Sequence, residues 1–374
     1  QTGWGQVFAD YFNDDIIIEN RAMGGRSSKS YDNDGRLDRI LTEMHPGDYV
    51  FIQFGINDGA ENKPERYISV EDYKKLITDK YIGEVEKRGG TPVLMTANAA
   101  AWWDEENNCF MESRKDYADP TREIAEETGC KFIDENKIVT DAWNSMSKNR
   151  VLSGYFVCEP LESKAYPSGT NDTTHMKAKG AKRVAKLIAD AIPENVPELA
   201  KYLKGDETFT DIQGHWAEDV IKTLAENDKV SGVGDGKFNP DGTVTRAEFL
   251  KMAMDSLGIV GHAYRDGECL DATNDDWYCY YLQGALDKDI IPKEMIENCN
   301  VTKVTKTLAE ATDDKEAVTT DVNVYTGKFD GDKPITREEM AAIAVRCKNY
   351  KMRRLTDWDN ERRYPIFSFK DSDE

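Results

Sequence analysis

The run Tyr49-Val-Phe-Ile-Gln-Phe54, followed by Gly55-Ile-Asn57-Asp58, decides which fold class this chain can adopt. Its short, mainly apolar stretch lies between the turn His45-Pro-Gly-Asp48 and a glycine, which predicts a strand buried on both faces. Strands of that kind belong to parallel sheets that are covered by helices on both sides. The polar residues after Phe54 therefore stand at the carboxyl end of a strand, where open α/β sheets bind their ligands.

The segments on either side repeat this alternation of strand and helix. Apolar runs predict three further buried strands at residues 15–20, 91–96 and 131–134. Helical periodicity occupies the segments 3–12, 35–44, 71–87, 116–128, 137–148 and 176–191. Short buried strands that alternate with helices indicate an α/β fold, in which a parallel sheet lies between two helical layers.

The composition excludes several classes of partner. The formal net charge is -21, and phosphate binding needs clustered Lys and Arg, so neither nucleic acid nor an anionic lipid surface is an expected partner. No run of about 18 apolar residues occurs, so no membrane span is predicted. The seven cysteines form no C-x-x-C pair, which excludes the usual zinc-ribbon spacing. The chain begins with Gln1, so the lack of a visible signal peptide is uninformative.

Two loops after predicted strands carry groups that can bind an anion. The first contains Gly24-Gly25-Arg26, where paired glycines let the backbone approach a ligand and turn N–H groups outward. The second contains Asn57, whose side-chain amide can donate above the sheet. A backbone N–H and an amide that converge would form an oxyanion hole. The alternative for each loop is an ordinary turn, since Gly, Asn and Asp are common turn residues.

A third loop, Asn171-Asp172-Thr-Thr-His175, leads into the last predicted helix. The spacing lets the carboxylate of Asp172 accept a hydrogen bond from one imidazole nitrogen of His175. The other nitrogen can then take a proton from a nucleophile, as in a hydrolytic triad. The alternative is a polar turn that caps the helix. The other histidine of this part, His45, precedes its strand and is predicted to lie away from the site.

In chain order, these three loops resemble the blocks of the SGNH (GDSL-type) hydrolase family. The glycine loop corresponds to the block whose glycine N–H serves the oxyanion hole, which implies that role for Gly25 or Gly24. G-I-N-D resembles the G-x-N-D block and implies the second donor at Asn57. D-T-T-H resembles the D-x-x-H block and implies the triad acid at Asp172 and the base at His175. The resemblance implies a flavodoxin-like three-layer fold and a serine esterase that needs no metal and no cofactor.

Residues 3–192 carry this resemblance, which is nearest to the rhamnogalacturonan acetylesterase branch. One block is missing, because the family's nucleophile lies in a G-D-S sequence upstream of the segment that resembles Gly3-Trp-Gly-Gln6. We therefore expect the first strand and the nucleophile to be absent from these 374 residues, which leaves the chain catalytically incomplete. Ser27 and Ser28 belong to the glycine loop, and we interpret them as hydrogen-bonding residues of that loop.

Three further residues are candidates for substrate binding. Trp102 and Trp103 follow the third predicted strand, where adjacent indoles could stack on sugar rings. The alternative is that one of them is buried under the loop at 104–108. Arg26 could pair with a uronate carboxylate, or it could hold its own loop through backbone carbonyls.

A different pattern begins beyond residue 205 and recurs. Phe209-Thr-Asp211 is echoed by Tyr264-Arg-Asp266, and His215-Trp216 by Asp276-Trp277. A third copy begins with Phe369-Lys-Asp371. We expect both tryptophans to pack between helices.

The second half of each repeat carries Thr245-Arg-Ala-Glu248 or Thr336-Arg-Glu-Glu339. Thr and the Glu three residues later form a capping box, which is a structural role. These signatures resemble S-layer homology modules, which implies that Arg246 and Arg337 contact an anionic polysaccharide of the bacterial cell wall. A polar insertion at about 292–325 in the second copy is predicted to be a loop. His262 has no carboxylate at triad-like spacing and is interpreted as structural or superficial.

The predicted domains are a hydrolase at 1–194, a linker at 195–208, mainly helical modules at 209–262 and 263–350, and the start of a third at 364–374. The combination implies a secreted esterase that removes acetyl groups from a plant polysaccharide and is bound to secondary cell-wall polysaccharide at the bacterial surface. One alternative is a lipase, lysophospholipase or wall-polymer deacetylase of the same fold. Another is a non-catalytic wall-binding protein with a decayed hydrolase domain.

Overall fold

The computed structural model describes residues 1–163, 165–166, 168–205, 209–226, 230–263, 269–273, 275–309 and 318–355. It divides into two compact units. The first comprises residues 1–242 with 258–260, and the second comprises 243–257 and the described residues from 261 onward. The predicted domain boundaries remain predictions.

The first unit contains the parallel sheet that the sequence predicts. Its three strands are β1 (Tyr49–Gln53), β2 (Thr91–Met95) and β5 (Lys131–Ile133), in the order β1-β2-β5. Tyr49 pairs with Thr91, and Val93 pairs with Lys131, both in parallel register. A separate two-stranded ribbon joins β3 (Trp103–Asp104) to β4 (Cys109–Phe110).

The helices of the first unit cover both faces of the sheet. Alternate residues of β2 face different cores: Val93 and Met95 pack in one cluster, and Leu94 packs in the other. This period of two is what a strand buried on both faces requires. The helices are α1 (Ser28–Asn33), α2 (Arg36–Glu43), α3 (Val70–Leu76), α4 (Gly83–Lys87), α5 (Lys115–Thr128), α6 (Glu135–Asn144), α7 (Lys148–Val151), α8 (Ala178–Asn195) and α9 (Glu218–Glu226).

Two local predictions for this unit were wrong. Residues 15–20 form no strand, because no strand of the described sheet pairs with them, and Ile17 is 84% exposed. The predicted helix at 3–12 is two short 3₁₀ turns, Trp4–Gln6 and Phe8–Tyr11. The glycine loop ends at Ser27, which accepts a hydrogen bond from the backbone N–H of Ser30 and so starts α1.

The second unit is built from helices and one long hairpin. The helices are α10 (Arg246–Leu257), α11 (Cys279–Asp287) and α12 (Arg337–Leu355). The predicted loop at 292–325 is instead largely the antiparallel pair β6 (Glu297–Ala309) and β7 (Val318–Lys328). β-branched residues occupy five of the 13 positions of β6 and six of the 11 positions of β7, and their preference for extended backbone favours strands in spite of the polar composition.

The repeat is visible in matched contacts. The carboxylate of Asp211 accepts hydrogen bonds from the backbone N–H groups of Phe238 (2.8 Å) and Asn239 (2.7 Å). In the second unit, Asp271 makes the same pair of contacts with Phe329 (2.7 Å) and the next residue (2.9 Å). Asp271 is therefore the structural counterpart of Asp211. The predicted counterpart at 264–266 and the third copy at 369–371 lie outside the described residues.

The tryptophans of the repeat are exposed, contrary to the expectation that they pack between helices. Trp216 is 88% exposed and Trp277 is 53% exposed. Phe209 and Ile212 are instead buried, and they belong to a small hydrophobic core that packs against α9.

Within the described part of the chain, no helix combines the length and apolarity that a membrane crossing requires.

Candidate active site

Asp172 and His175 form a hydrogen-bonded pair. The imidazole Nδ1 lies 2.8 Å from the Oδ2 atom of Asp172. The other carboxylate oxygen accepts hydrogen bonds from the backbone N–H groups of Thr174 (2.8 Å) and His175 (2.9 Å). Burial alone would raise the pKa of Asp172, but these N–H groups and the imidazole together hold it below its usual value. The carboxylate thus stays ionised and orients the ring.

The loop that carries this pair is tied to the carboxyl end of the sheet. The backbone N–H of Ala101 donates to the carbonyl oxygen of Thr173 at 2.8 Å. Ala101 belongs to the segment that follows β2, and the N–H of Ala99 in that segment donates to Glu135 at 3.0 Å. Glu135 is fully buried, and this burial raises the pKa of its carboxyl well above the usual value. Gln1 also donates to Oδ2 of Asp172, at 3.1 Å.

Asp58 joins the glycine loop to the loop after β1. One oxygen of its carboxylate accepts from the backbone N–H (2.8 Å) and the hydroxyl (2.5 Å) of Ser28. The other accepts from the backbone N–H of Gly55 at 2.9 Å. Asp58 is fully buried, and burial raises the pKa of its carboxyl in spite of these bonds. The aspartate therefore fixes the two candidate anion-binding loops relative to each other.

The two candidate oxyanion donors lie on these connected loops. The Nδ2 atom of Asn57 donates to the carbonyl oxygen of Arg26 at 3.1 Å, which leaves its second amide proton available. Gly25 has a φ of +73°, a conformation that favours glycine. The guanidinium of Arg26 donates to the carboxylate of Asp34 at 2.6 Å. The role of Arg26 in substrate binding remains a prediction, as do the roles of Gly25 and Asn57 as oxyanion donors.

The two tryptophans have different surroundings, and both are half-buried. The ring of Trp102 lies 4.9 Å from the guanidinium carbon of Arg114. Trp103 packs edge-to-face on Phe110, with ring centroids 4.8 Å apart, and its indole N–H donates to Glu105. A stacking role for either indole remains a prediction.

Neither serine of the glycine loop has a hydroxyl directed to His175. The hydroxyl of Ser28 donates to Asp58, and the hydroxyl of Ser27 lies 3.1 Å from that of Ser30. Both residues are fully buried. These contacts agree with their interpretation as hydrogen-bonding residues of the loop. Among the described residues, no hydroxyl hydrogen bonds to the imidazole of His175.

Sequence reasoning missed two residues at this site. Asp58 is part of G-I-N-D, and its position after a buried strand is a usable signal for a turn-closing carboxylate. Arg66 has no such signal because it lies in a polar loop. Its Nη1 atom nevertheless donates to the Oδ1 atom of Asn57 at 3.4 Å.

The arginines of the two repeats differ in exposure. Arg246 is only 7% exposed, and its guanidinium forms an ion pair with Glu339 and donates to the carbonyl oxygen of Phe329 at 2.6 Å. Arg337 is exposed. Thr336 and Glu339 form the predicted capping box, with reciprocal hydrogen bonds of 3.0 and 3.2 Å. Polymer binding by the two arginines remains a prediction.

Comparison with known proteins matches two families to separate parts of the chain. Residues 1–183 match the model of the GDSL-like lipase/acylhydrolase family, and residues 208–250 match the S-layer homology domain. The probable rhamnogalacturonan acetylesterase YesY of Bacillus subtilis (strain 168) is 34% identical over 194 residues, which cover 52% of this chain and 84% of that protein. Rhamnogalacturonan acetylesterase RhgT of the same organism is 32% identical over 195 residues, which cover 51% and 81%.

Another relative is named as a different kind of enzyme. Exoglucanase XynX of Acetivibrio thermocellus is 41% identical over 104 residues, which cover 27% of this chain and 10% of that protein. The matches confirm the SGNH hydrolase fold, which is of the α/β class, and the resemblances that the loop motifs indicated. Through residues 1–183 the chain belongs to the GDSL-like lipase/acylhydrolase family, and it carries an S-layer homology domain at residues 208–250.

Proposed function

We propose that the first part of this protein is a serine esterase that removes acetyl groups from a polysaccharide. The observation that supports this most is the Asp172–His175 pair, in which Nδ1 lies 2.8 Å from Oδ2. The ring is oriented by an ionised carboxylate and can act as a general base through Nε2.

The reaction would proceed by double displacement. His175 takes the proton of a serine hydroxyl while the serine oxygen attacks the acetyl carbonyl carbon. When the tetrahedral intermediate collapses, the bond between the acetyl carbon and the sugar oxygen breaks and the acetyl group stays on serine. His175 gives its proton to the departing sugar oxygen, which leaves as a hydroxyl. Water, activated by the same imidazole, then releases acetate and regenerates the serine. The backbone N–H of Gly25 and the free amide proton of Asn57 would stabilise the oxyanion in both steps.

We infer that the attacking serine is not one of the serines of the glycine loop. The hydroxyl of Ser28 donates a hydrogen bond to Asp58, and the hydroxyl of Ser27 forms one with that of Ser30. The nucleophile of the proposed triad is therefore a serine other than these two.

The proposed substrate is an acetylated plant polysaccharide of the rhamnogalacturonan type. This rests on the names of the two relatives. The residues that match this chain make up 84% and 81% of those proteins. The S-layer homology domain supports attachment to a secondary polysaccharide of the bacterial wall, and hence a secreted protein at the cell surface. Of the two arginines, the exposed Arg337 is the better candidate for direct contact with that polymer.

The test measures the release of acetate by the full-length gene product from acetylated rhamnogalacturonan and from 4-nitrophenyl acetate. We expect activity, and a fall in kcat of about 10³-fold or more in His175→Ala. The matched control is His45→Ala, since that side chain is 85% exposed and lies at the amino end of β1. A rate that His175→Ala leaves intact refutes the triad.

The same assay separates the alternative functions. Hydrolysis of long-chain acyl esters without release of acetate from polysaccharide would indicate a lipase or lysophospholipase. Absence of all hydrolysis, together with retention on isolated cell walls, would indicate a wall-binding protein with a decayed hydrolase domain.

A further inference from the structure

The guanidinium of Arg66 lies between the two candidate oxyanion loops. Its Nη1 atom donates to Oδ1 of Asn57 at 3.4 Å. Its Nη2 atom lies on the other side, 3.5 Å from where a side-chain carbon on Gly25 would stand. The Arg66 side chain is 27% exposed, so it is mostly shielded from water. The guanidinium thus hydrogen bonds to Asn57 and lies next to the position that a side chain on Gly25 would occupy.

The position of Arg66 is set by the turn that closes the loop after β1. The backbone N–H of Arg66 donates to the carbonyl oxygen of Lys63 at 2.8 Å. The backbone N–H of Ile68 donates to the carbonyl oxygen of Asp58 at 3.1 Å. The hydroxyl of Tyr117 donates to the carbonyl oxygen of Ile68 at 2.5 Å and lies 3.2 Å from that of Asp58. The loop is thereby closed on the buried aspartate that also fixes the glycine loop.

Contacts with Arg66 and with the carbonyl oxygen of Arg26 together determine which way the amide of Asn57 faces. Oδ1 meets the guanidinium donor, and Nδ2 donates to the carbonyl oxygen of Arg26 at 3.1 Å. A flipped amide would set an NH₂ group against the guanidinium and an oxygen against the carbonyl oxygen, and both contacts are repulsive. With the observed orientation, the second Nδ2 proton is the one that remains for a ligand.

Arg66 also places positive charge in a protein whose formal net charge is -21. The nearest acidic oxygen, on Glu65, is 3.7 Å from its Nε atom. By contrast, the neighbouring Arg26 is bound to Asp34 at 2.6 Å. Fixed positive charge beside backbone and amide donors stabilises an oxyanion more strongly in a partly desolvated site than in water.

We propose that Arg66 is a positioning residue of the oxyanion hole: it orients the amide of Asn57 and supplies positive charge beside Gly25. This inference rests on the proposed esterase function. Arg66 is assigned no part in binding the sugar chain or in proton transfer. Its loss should therefore lower kcat rather than raise KM, because the oxyanion exists only after attack.

The kinetic test compares Arg66→Gln with Arg88→Gln in the full-length gene product. Arg88 is a suitable control because it is 40% exposed and pairs with Glu84 on α4. A complete oxyanion donor contributes about 10²–10³ to kcat, so disordering one donor should cost about 10–100-fold, with KM changed less than about twofold. Arg66→Lys keeps the charge but not the planar fork, and should recover only part of the loss.

Millimolar guanidinium should partly restore kcat in Arg66→Ala. A kcat for Arg66→Gln that matches Arg88→Gln, or a raised KM with unchanged kcat, overturns the inference. A thermal midpoint equal to wild type excludes unfolding as the cause.

A second measurement needs no catalysis. In the wild-type chain, the side-chain amide of Asn57 should give one pair of ¹H–¹⁵N resonances. In Arg66→Gln these should shift and broaden, because only the hydrogen bond to the carbonyl oxygen of Arg26 then orients the amide. Unchanged resonances overturn the inference. If the wild-type gene product hydrolyses no ester, the proposed function fails, and the amide resonances still decide whether Arg66 orients Asn57.

Discussion

Replacing Gly55 by alanine should destabilise the first unit severely, because two separate costs coincide at this position. Gly55 has a φ of +115°, which side chains rarely adopt. A Cβ atom there would lie 2.8 Å from the Cβ of Ala97 and 3.0 Å from the Cβ of Tyr117. Both neighbours are buried, with exposed fractions of 0% and 3%, so neither has space to move into.

The magnitude follows from these two costs. Forcing alanine into a sparsely populated backbone region costs about 1–3 kcal/mol. Overpacking against two buried Cβ atoms adds about 1–3 kcal/mol. The sum, about 2–6 kcal/mol, is a large part of the 5–15 kcal/mol that is typical for the unfolding of a domain. The change would also displace Asn57, two residues further along the loop.

Gly35 provides the matched control. It also has positive φ, at +68°, but a Cβ there would meet no atom within 4 Å. Gly35→Ala should therefore incur only the backbone cost of about 1–2 kcal/mol. Urea unfolding, followed by tryptophan fluorescence and far-UV circular dichroism, measures both variants against wild type. Equal unfolding midpoints for Gly55→Ala and Gly35→Ala would refute the claim that the contacts with Ala97 and Tyr117 restrict this position.

Two further predictions concern buried charges in the second unit. Glu339→Gln should lower the free energy of unfolding of this unit by about 3–5 kcal/mol, measured in urea, because Arg246 would lose its carboxylate partner. The control is Glu338→Gln, which replaces an exposed neighbour and should change stability little. Equal effects of the two substitutions would argue against the ion pair. Burial alone would raise the pKa of Asp287, but its hydrogen bonds, including one to His262 at 2.6 Å, lower it below the unfolded value of about 3.9. The stability that Asp287 contributes should be present above about pH 4 and lost as the pH falls through its lowered pKa. The difference in unfolding free energy between wild type and Asp287→Asn should therefore shrink in acid, and a difference independent of pH would contradict this.

Much of the fold could be predicted because its signals are local. The strands around Tyr49 and Thr91 were recognisable as short apolar runs, and their helices as periodic segments. The pair Asp172–His175 was equally accessible, since a three-residue spacing brings the two side chains to 2.8 Å within one turn. The capping box of Thr336 depends only on neighbouring residues as well.

The failures have a common origin in partners that are distant along the chain. Residues 15–20 have the composition of a strand, but a strand needs a neighbouring strand to satisfy its backbone. The reverse holds at 292–325. This polar segment forms a hairpin because each strand supplies hydrogen-bonding partners for the backbone of the other. His262 lacks an acidic neighbour at close spacing, yet it pairs with Asp287, 25 residues away.

The sequence by itself determined the α/β class, the three site loops and the repeated signatures, because hydrophobic period, turn chemistry and helix capping act over a few residues. Only the tertiary structure decided how these loops meet. Asp58 ties the glycine loop to the end of β1, and Arg66 reaches both Gly25 and Asn57 from a loop without any recognisable pattern. Such contacts depend on where the folded chain brings distant segments together, and spacing along the sequence does not contain that information.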